Sequence, residues 1–279
     1  MVTNAGLLVV HVSHSNWSWV SKDTDLMQQV VCLAFSPQCT PVYLALGTND
    51  KRVLVFKSES DGSSWILHET RSFRKRPFAI TFSLDSKVLV ADKSGIVHMI
   101  SLSKDCQSAE EETEDSDEDD SCLGHYSTII AMTMSVDGQY VITGDRDNKI
   151  RVSRYPNVWE IQSFCLSDPH FFVTRIWTLE LEREWLFSVH HNGELKVWDG
   201  NSGIVKLRLS HSSVGCFLVD ASAYVYDKHT VLVASIAYSS NHCWICILKY
   251  DSLRDEFHCH KEFNWELCGF LFGNSILTK

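Results

Sequence analysis

Closely spaced glycines are missing from this chain of 279 residues: it has 13 glycines, yet no two of them stand as Gly-x-Gly. A methyltransferase, dehydrogenase or kinase would need such spacing to bring backbone amides against a phosphate or cofactor. There is also no Gly-x-Ser-x-Gly elbow, no His-Glu-x-x-His and no P-loop. A binding or scaffolding role is therefore the default expectation, with no cofactor and no metal on this chain. Runs of 18 apolar residues are absent too, so no helical membrane span is expected. The opening MVTNAGLLVVHVSHSN lacks a basic n-region, and its apolar run is too short for a signal peptide, which points to an intracellular protein.

The 10 cysteines have no framework spacing, as expected of reduced thiols in cytosol or nucleus. Cys243 and Cys246, followed by His258, Cys259 and His260, superficially match a zinc pattern. Cys243-Trp-Ile-Cys246 reads as strand, however, where residues three apart point to opposite faces and cannot share a metal. Charge is just as local. The formal net charge is -10, and nine acids lie between Glu110 and Asp120; without them the body is left at about -1, with no broad basic face. Residues 103–123 are therefore expected to form a disordered acidic loop, read as a solubilising insertion ahead of a phosphorylatable interaction loop. Arg71 to Pro77 carries Arg74-Lys75-Arg76, read as a solvated basic turn ahead of a nuclear-import patch or phosphate contact.

What is present is a repeat. In GHYSTIIAMTMSVDGQYVITGDRDNKIRVSRYP, from Gly124 to Pro156, the runs Ile129–Met134 and Tyr140–Thr143 flank Asp137-Gly138, which tolerates a tight turn. A third run, Ile150–Tyr155, alternates apolar and polar residues behind the turn Asp147-Asn148-Lys149. Counting from His125, Thr143 stands 18 residues on, Asp147 22 and Ser153 28. Counting from His170, Ser188 stands at 18, Asn192 at 22 and Trp198 at 28. WD-type blades share a hydrogen-bonded set of His, Ser or Thr, Asp and Trp at such offsets. His125, Thr143, Asp147, His170, Ser188 and Trp198 are therefore candidate tetrad members.

A single blade leaves a hydrophobic face exposed, so such units must stack to make a core. The expectation is an all-β WD40-type propeller over residues 1–279, of about six to seven blades, with closure of the ring left open. Other blades read as Val30–Phe56, Pro77–Leu102, His170–Gly203 and Val219–Tyr250, with a partial last blade over 257–279. Aligned third strands put Phe56, Met99, Ser153 and Trp198 in register, and the long interval before Ser153 is filled by the acidic run. A strand over residues 7–12 is expected to complete the last blade.

Three segments are more specific than a generic blade. VLVADKSGIV (Val88–Val97), GDRDNKIRV (Gly144–Val152) and IQSFCL (Ile161–Leu166), the last followed by His170 and Phe172-Val173-Thr174, resemble the WD-repeat, non-catalytic subunit of tRNA guanine-N7 methyltransferase. The likeness runs from about Val30 to Gly203. It departs from the family at Gly144, where Ala is usual, and at Ser167-Asp168-Pro169.

The resemblance implies a nuclear heterodimer, with the cytoplasm as a second compartment, in which a separate catalytic subunit binds S-adenosylmethionine and tRNA, leaving this chain in mostly indirect contact with tRNA. It directs attention to Asp145, Arg146, Asp147, Lys149 and Arg151. Lys149 and Arg146 are expected to be exposed and to meet charges on the partner. Lys93, at the matching turn of the preceding blade, extends the set. Arg151 either pairs internally with Asp145 or Asp147, or presents its fork to a partner carboxylate. The competing readings are a ubiquitin-ligase substrate adaptor or chromatin reader, and an enzyme in its own right.

Overall fold

Short β-branched and aromatic runs separated by Asp, Asn, Ser and Gly become strands of a blade-type, all-β architecture. The computed structural model describes residues 2–3, 6–11, 16–21, 23–37, 41–59, 64–102, 121–166, 171–210, 218–237 and 242–266. Its strands fall into two compact units, one ending at Thr128 and the other beginning at Ile129.

In the first unit β1 (Val2–Thr3), β2 (Gly6–His11) and β3 (Asn16–Ser21) form a three-stranded sheet. The N-terminal strand expected to complete the last blade thus pairs with its own sequence neighbours. A short helix, α1 (Thr24–Gln29), follows; the Asp23 carboxylate accepts from the Asp25 and Leu26 amides at its start. Next come β4 (Val30–Phe35), β5 (Tyr43–Thr48), β6 (Arg52–Ser58) and β7 (Trp65–Ser72), an antiparallel sheet in chain order. A second meander is made of β8 (Pro77–Phe82), β9 (Lys87–Asp92), β10 (Ile96–Ser101) and β11 (Ser121–Gly124). Residues 121–123, expected in the acidic loop, belong to β11; residues 103–120 lie outside the described residues.

The second unit holds three such meanders. The first is β12 (Ile129–Met134), β13 (Tyr140–Asp145), β14 (Lys149–Arg154) and β15 (Ile161–Leu166). The next is β16 (Val173–Glu180), β17 (Glu184–His190), β18 (Glu194–Asp199) and β19 (Ile204–Ser210). The last is β20 (Leu218–Asp227), β21 (Thr230–Ala237), β22 (His242–Asp251) and β23 (Glu256–Glu266). Residues 257–266, expected to open a further blade, instead pair with β22 and complete this sheet, because the Asp251–Asp255 turn folds them straight back. Residues 267–279 lie outside the described residues.

The repeat is finer than the hydrophobic pattern. In all five described four-stranded sheets the register slips after the first paired residue of the opening strand: after Val30, Pro77, Ile129, Val173 and Leu218. Such a bulge bends and twists the strand at the same place in each unit. Apolar faces of neighbouring sheets then close on one another. Ile150, Val152 and Cys165 pack with Val173, Ile176, Leu186 and Trp198, while Trp185 and Phe187 pack with Val231, Trp244 and Phe257. Burial of this kind contributes about 25 cal/mol for each Å² of apolar surface removed from water.

Gly144 lies inside the first of these cores. A Cβ there would stand 2.5 Å from the Ile176 δ-methyl and 3.2 Å from Val173. The departure from Ala at this position is therefore matched to the bulk of Ile176. Gly144→Ala should lower stability by about 1–3 kcal/mol, and Ile176→Val in the same chain should recover part of that loss. Strictly additive effects in a double-mutant thermal melt would show that the two side chains do not compete for this space.

Candidate partner-docking turn

In the four sheets from β4 to β19 the second strand ends on a buried polar residue: Thr48, Asp92, Asp145 and His190 are each 4% exposed or less. A buried polar group must find partners, and for Thr48, Asp92 and Asp145 the turn that follows supplies them. The Asp145 carboxylate accepts from the Asp147 amide at 3.0 Å and the Lys149 amide at 2.9 Å. Asp92 does the same with the Ser94 amide (2.8 Å), the Ser94 hydroxyl (2.7 Å) and the Ile96 amide (3.1 Å), and meets His98 Nε2 at 3.3 Å. Burial pushes the Asp92 carboxyl up, but the hydrogen bonds from His98, Ser94 and Ile96 outweigh it and hold the group below its usual range. Thr48 bonds the Arg52 carbonyl at 2.9 Å and the Asp50 carboxylate.

These caps distribute the sequence-predicted residues. Asp145 faces inward and holds the turn, whereas Asp147, whose offset marked it as the tetrad acid, is exposed. Arg146 and Lys149 are exposed on the same turn, which is kept tight by Asn148 at φ 62°. Lys93 is exposed at the matching turn of its own sheet, with its amide on the Arg76 carbonyl and its carbonyl accepting from Thr128. The capped turns therefore carry outward cations on a fixed backbone.

Arg151 is half-buried. Its Nε donates to Ser153 Oγ at 2.8 Å and its Nη2 to the Val158 carbonyl at 2.9 Å, and burial pulls its pKa below the ordinary arginine value. Ser153, in register with Trp198, is fully buried, so the guanidinium ties β14 to the 155–160 connection. Thr143 Oγ1 reaches the Arg151 carbonyl at 3.5 Å.

In the following sheet the Trp198 indole donates to Ser188 Oγ at 2.8 Å, and Ser188 Oγ lies 2.9 Å from His190 Nε2. The structure thus joins Ser188 and Trp198. His170 lies outside the described residues, and His125, in the first unit, sets its amide on the Gly95 carbonyl. His190, which neither tetrad offset singles out, joins Trp198 through Ser188. Its signal is Ser188-x-His190, two residues apart on one strand and hence on one face. Lys196, cross-strand from Ser188 and 1% exposed, is held by Glu194 at 2.9 Å.

Known proteins bear on this arrangement. The family model for the tRNA methyltransferase TRM82 WD40 domain matches residues 13–122 and 106–243. The chain belongs to the TRM82 WD40-domain family. Among relatives of this family, the tRNA (guanine-N(7)-)-methyltransferase non-catalytic subunit wdr4 of Xenopus laevis is 34% identical over 184 residues, 66% of this chain and 42% of that protein. The human WDR4 subunit is 34% identical over 164 residues, 58% of this chain and 36% of that protein. The TRM82 subunit of Eremothecium gossypii is 30% identical over 191 residues, 67% and 40% respectively. The chain thus spans about two fifths of the length of these TRM82-family relatives. In fold, it is similar to the crystal structure of the computationally designed Ika8 protein, with a TM-score of 0.56 at 17% identity, covering 84% of this chain and 61% of that one. No helix among the described residues of this TRM82-family chain is long and apolar enough to cross a membrane.

The buried histidine gives the site a pH signature. Burial, and then the nearby Lys196 ammonium, pull the His190 pKa from 6.5 to about 3. Folded His190 is therefore neutral, and unfolding lets it bind a proton. Its contribution to stability is complete above the unfolded value of 6.5 and is lost as pH falls from there towards about 3. Urea titrations should show stability declining through that window by at most about 1.4 kcal/mol per pH unit from this group. His190→Gln should flatten the decline; an unchanged slope would assign the acid sensitivity elsewhere.

Proposed function

We propose that this chain is the non-catalytic, scaffolding subunit of tRNA guanine-N7 methyltransferase. In this reading a separate catalytic subunit carries S-adenosylmethionine and receives tRNA, and the WD40 chain holds that subunit in its active shape. The role is carried over from the relatives, whose names describe a non-catalytic subunit of that enzyme.

One observation in this chain carries the reading: within the family-matched span, the Asp145-capped turn fixes its backbone inward and turns Arg146 and Lys149 outward. Cations held on a rigid turn lose little freedom on docking and steer an oppositely charged partner. Arg151 contributes from behind, by bracing β14 and the connection to β15. The role of a positioning residue suits its internal donors better than that of a direct contact.

The test is co-expression with the catalytic subunit, followed by affinity capture and size exclusion. A one-to-one complex is expected, and a folded chain that fails to capture the subunit sinks the proposal. Within that assay Lys149→Glu should weaken capture by about tenfold or more through charge reversal, with the thermal midpoint unchanged. Arg151→Ala should behave differently, lowering stability by about 1–3 kcal/mol because Ser153 and the Val158 carbonyl lose a donor. If Arg151→Ala melts like the wild type but no longer captures the partner, the guanidinium is a contact after all.

A further inference from the structure

The strand beside the candidate docking turn presents apolar side chains to solvent. β15 is the last strand of its sheet, and its register with β14 pairs Leu166 with Lys149, Phe164 with Arg151, and Ile161 with Ser153. Directly opposed residues of an antiparallel pair share a face. One face of this edge therefore sets Leu166, Phe164 and Ile161 alongside Lys149 and Arg151. The alternate residues Ile150, Val152 and Cys165 point the other way, into the core with Ile176 and Trp198. On the outward face Leu166 is 62% exposed, Phe164 44% and Ile161 46%; Trp159, just before the strand, is 69% exposed.

This strip is not a frayed edge. Ser163 donates its hydroxyl to the Gly200 carbonyl, and Gln162 Nε2 reaches the Asn201 carbonyl at 3.5 Å. Gly203, at φ 71°, lies so close to the Phe164 carbonyl that no Cβ would fit. The turn after β18 thus clamps the backbone of β15 and leaves its side chains outward. The corresponding edge strand β19 shows one strongly exposed large apolar residue, Ile204. Four in the eight residues 159–166 is a concentration that marks an interaction surface.

We infer that Phe164 and Leu166 are the apolar anchors of the docking surface, receiving a segment of the catalytic subunit that pairs an apolar side chain with a carboxylate directed at Lys149. The inference rests on the function proposed above and adds the chemistry of the partner segment. Charge argues for that occupant. Arg146 and Lys149 are exposed at the turn that opens β14, and Arg151 lies half-buried beside them, against the exposed acids Asp147 and Glu160. An apolar centre with a basic rim matches an apolar centre with an acidic rim.

The experiment is a binding titration between the purified chain and the purified catalytic subunit. Phe164→Ser combined with Leu166→Gln should raise the Kd by about thirtyfold, the scale of an interface hot spot, with unchanged circular dichroism. The control is Ile66→Gln with Leu67→Ser on β7, where Ile66 and Leu67 are 55% and 48% exposed; it should bind within about twofold of wild type. Wild-type binding with an unaffected Phe164/Leu166 variant overturns the anchors and leaves the proposed function standing. No binding by the wild type overturns both. If the double variant fails to fold, a benzophenone amino acid at position 166 decides the matter: a photo-crosslink to the catalytic subunit supports the anchors, and its absence rejects them.

Discussion

In the four sheets from β4 to β19 a polar side chain is buried at the end of the second strand, and in three of them the turn that follows satisfies it. Leaving such a group without its partners costs about 1–3 kcal/mol, and more if it is charged. The turn between second and third strand is therefore as fixed as the strands it joins. Asp145 and Asp92 fulfil this with carboxylates over backbone amides and Thr48 with a hydroxyl, whereas His190 meets Ser188 of its own strand, which in turn accepts from the Trp198 indole. The same constraint reaches function. By drawing Asp145 inward it sends Arg146 and Lys149 outward on a rigid mount.

Much of this was legible in the residues. Ile129–Met134 and Tyr140–Thr143 read as strands because β-branched residues flank Asp137-Gly138, and they correspond to β12 and most of β13. The offset that singled out Ser188 and Trp198 reflects a cross-strand relation, and the two side chains do bond. Spacing could not say which of two acids in Asp145-Arg-Asp147 turns inward. Both are two residues from a turn position, and the choice is made by the register of β13, which puts Asp145 opposite Ile129 at the bulge. His190 escaped notice for a related reason: a His-His pair before Asn-Gly looks like a turn until strand β17 is known to run through His190.

The boundaries of the repeats were less legible than their centres. The hydrophobic period is the same in a strand that opens a blade and in one that closes it, so 257–266 could be assigned to either. Only pairing with β22 places it. The bulges escape the hydrophobic pattern as well, because each follows the first paired residue of its strand, too near the end to interrupt a run of alternation, yet they recur at one position in five sheets. The exposed faces of Phe164 and Leu166 fall in the same category. IQSFCL carries a family likeness in the sequence, but its outward orientation follows from the register with β14.

The central claim is that this chain works through a partner and performs no methyl transfer itself. Initial rates of N7-methylguanosine formation on a tRNA transcript, with S-adenosylmethionine as donor, test it most directly when measured for the chain alone, the catalytic subunit alone and the two together. The account predicts no turnover by the chain alone and a mixture that clearly exceeds the catalytic subunit by itself. Methylation by the isolated chain, or a mixture no faster than the catalytic subunit, would contradict it.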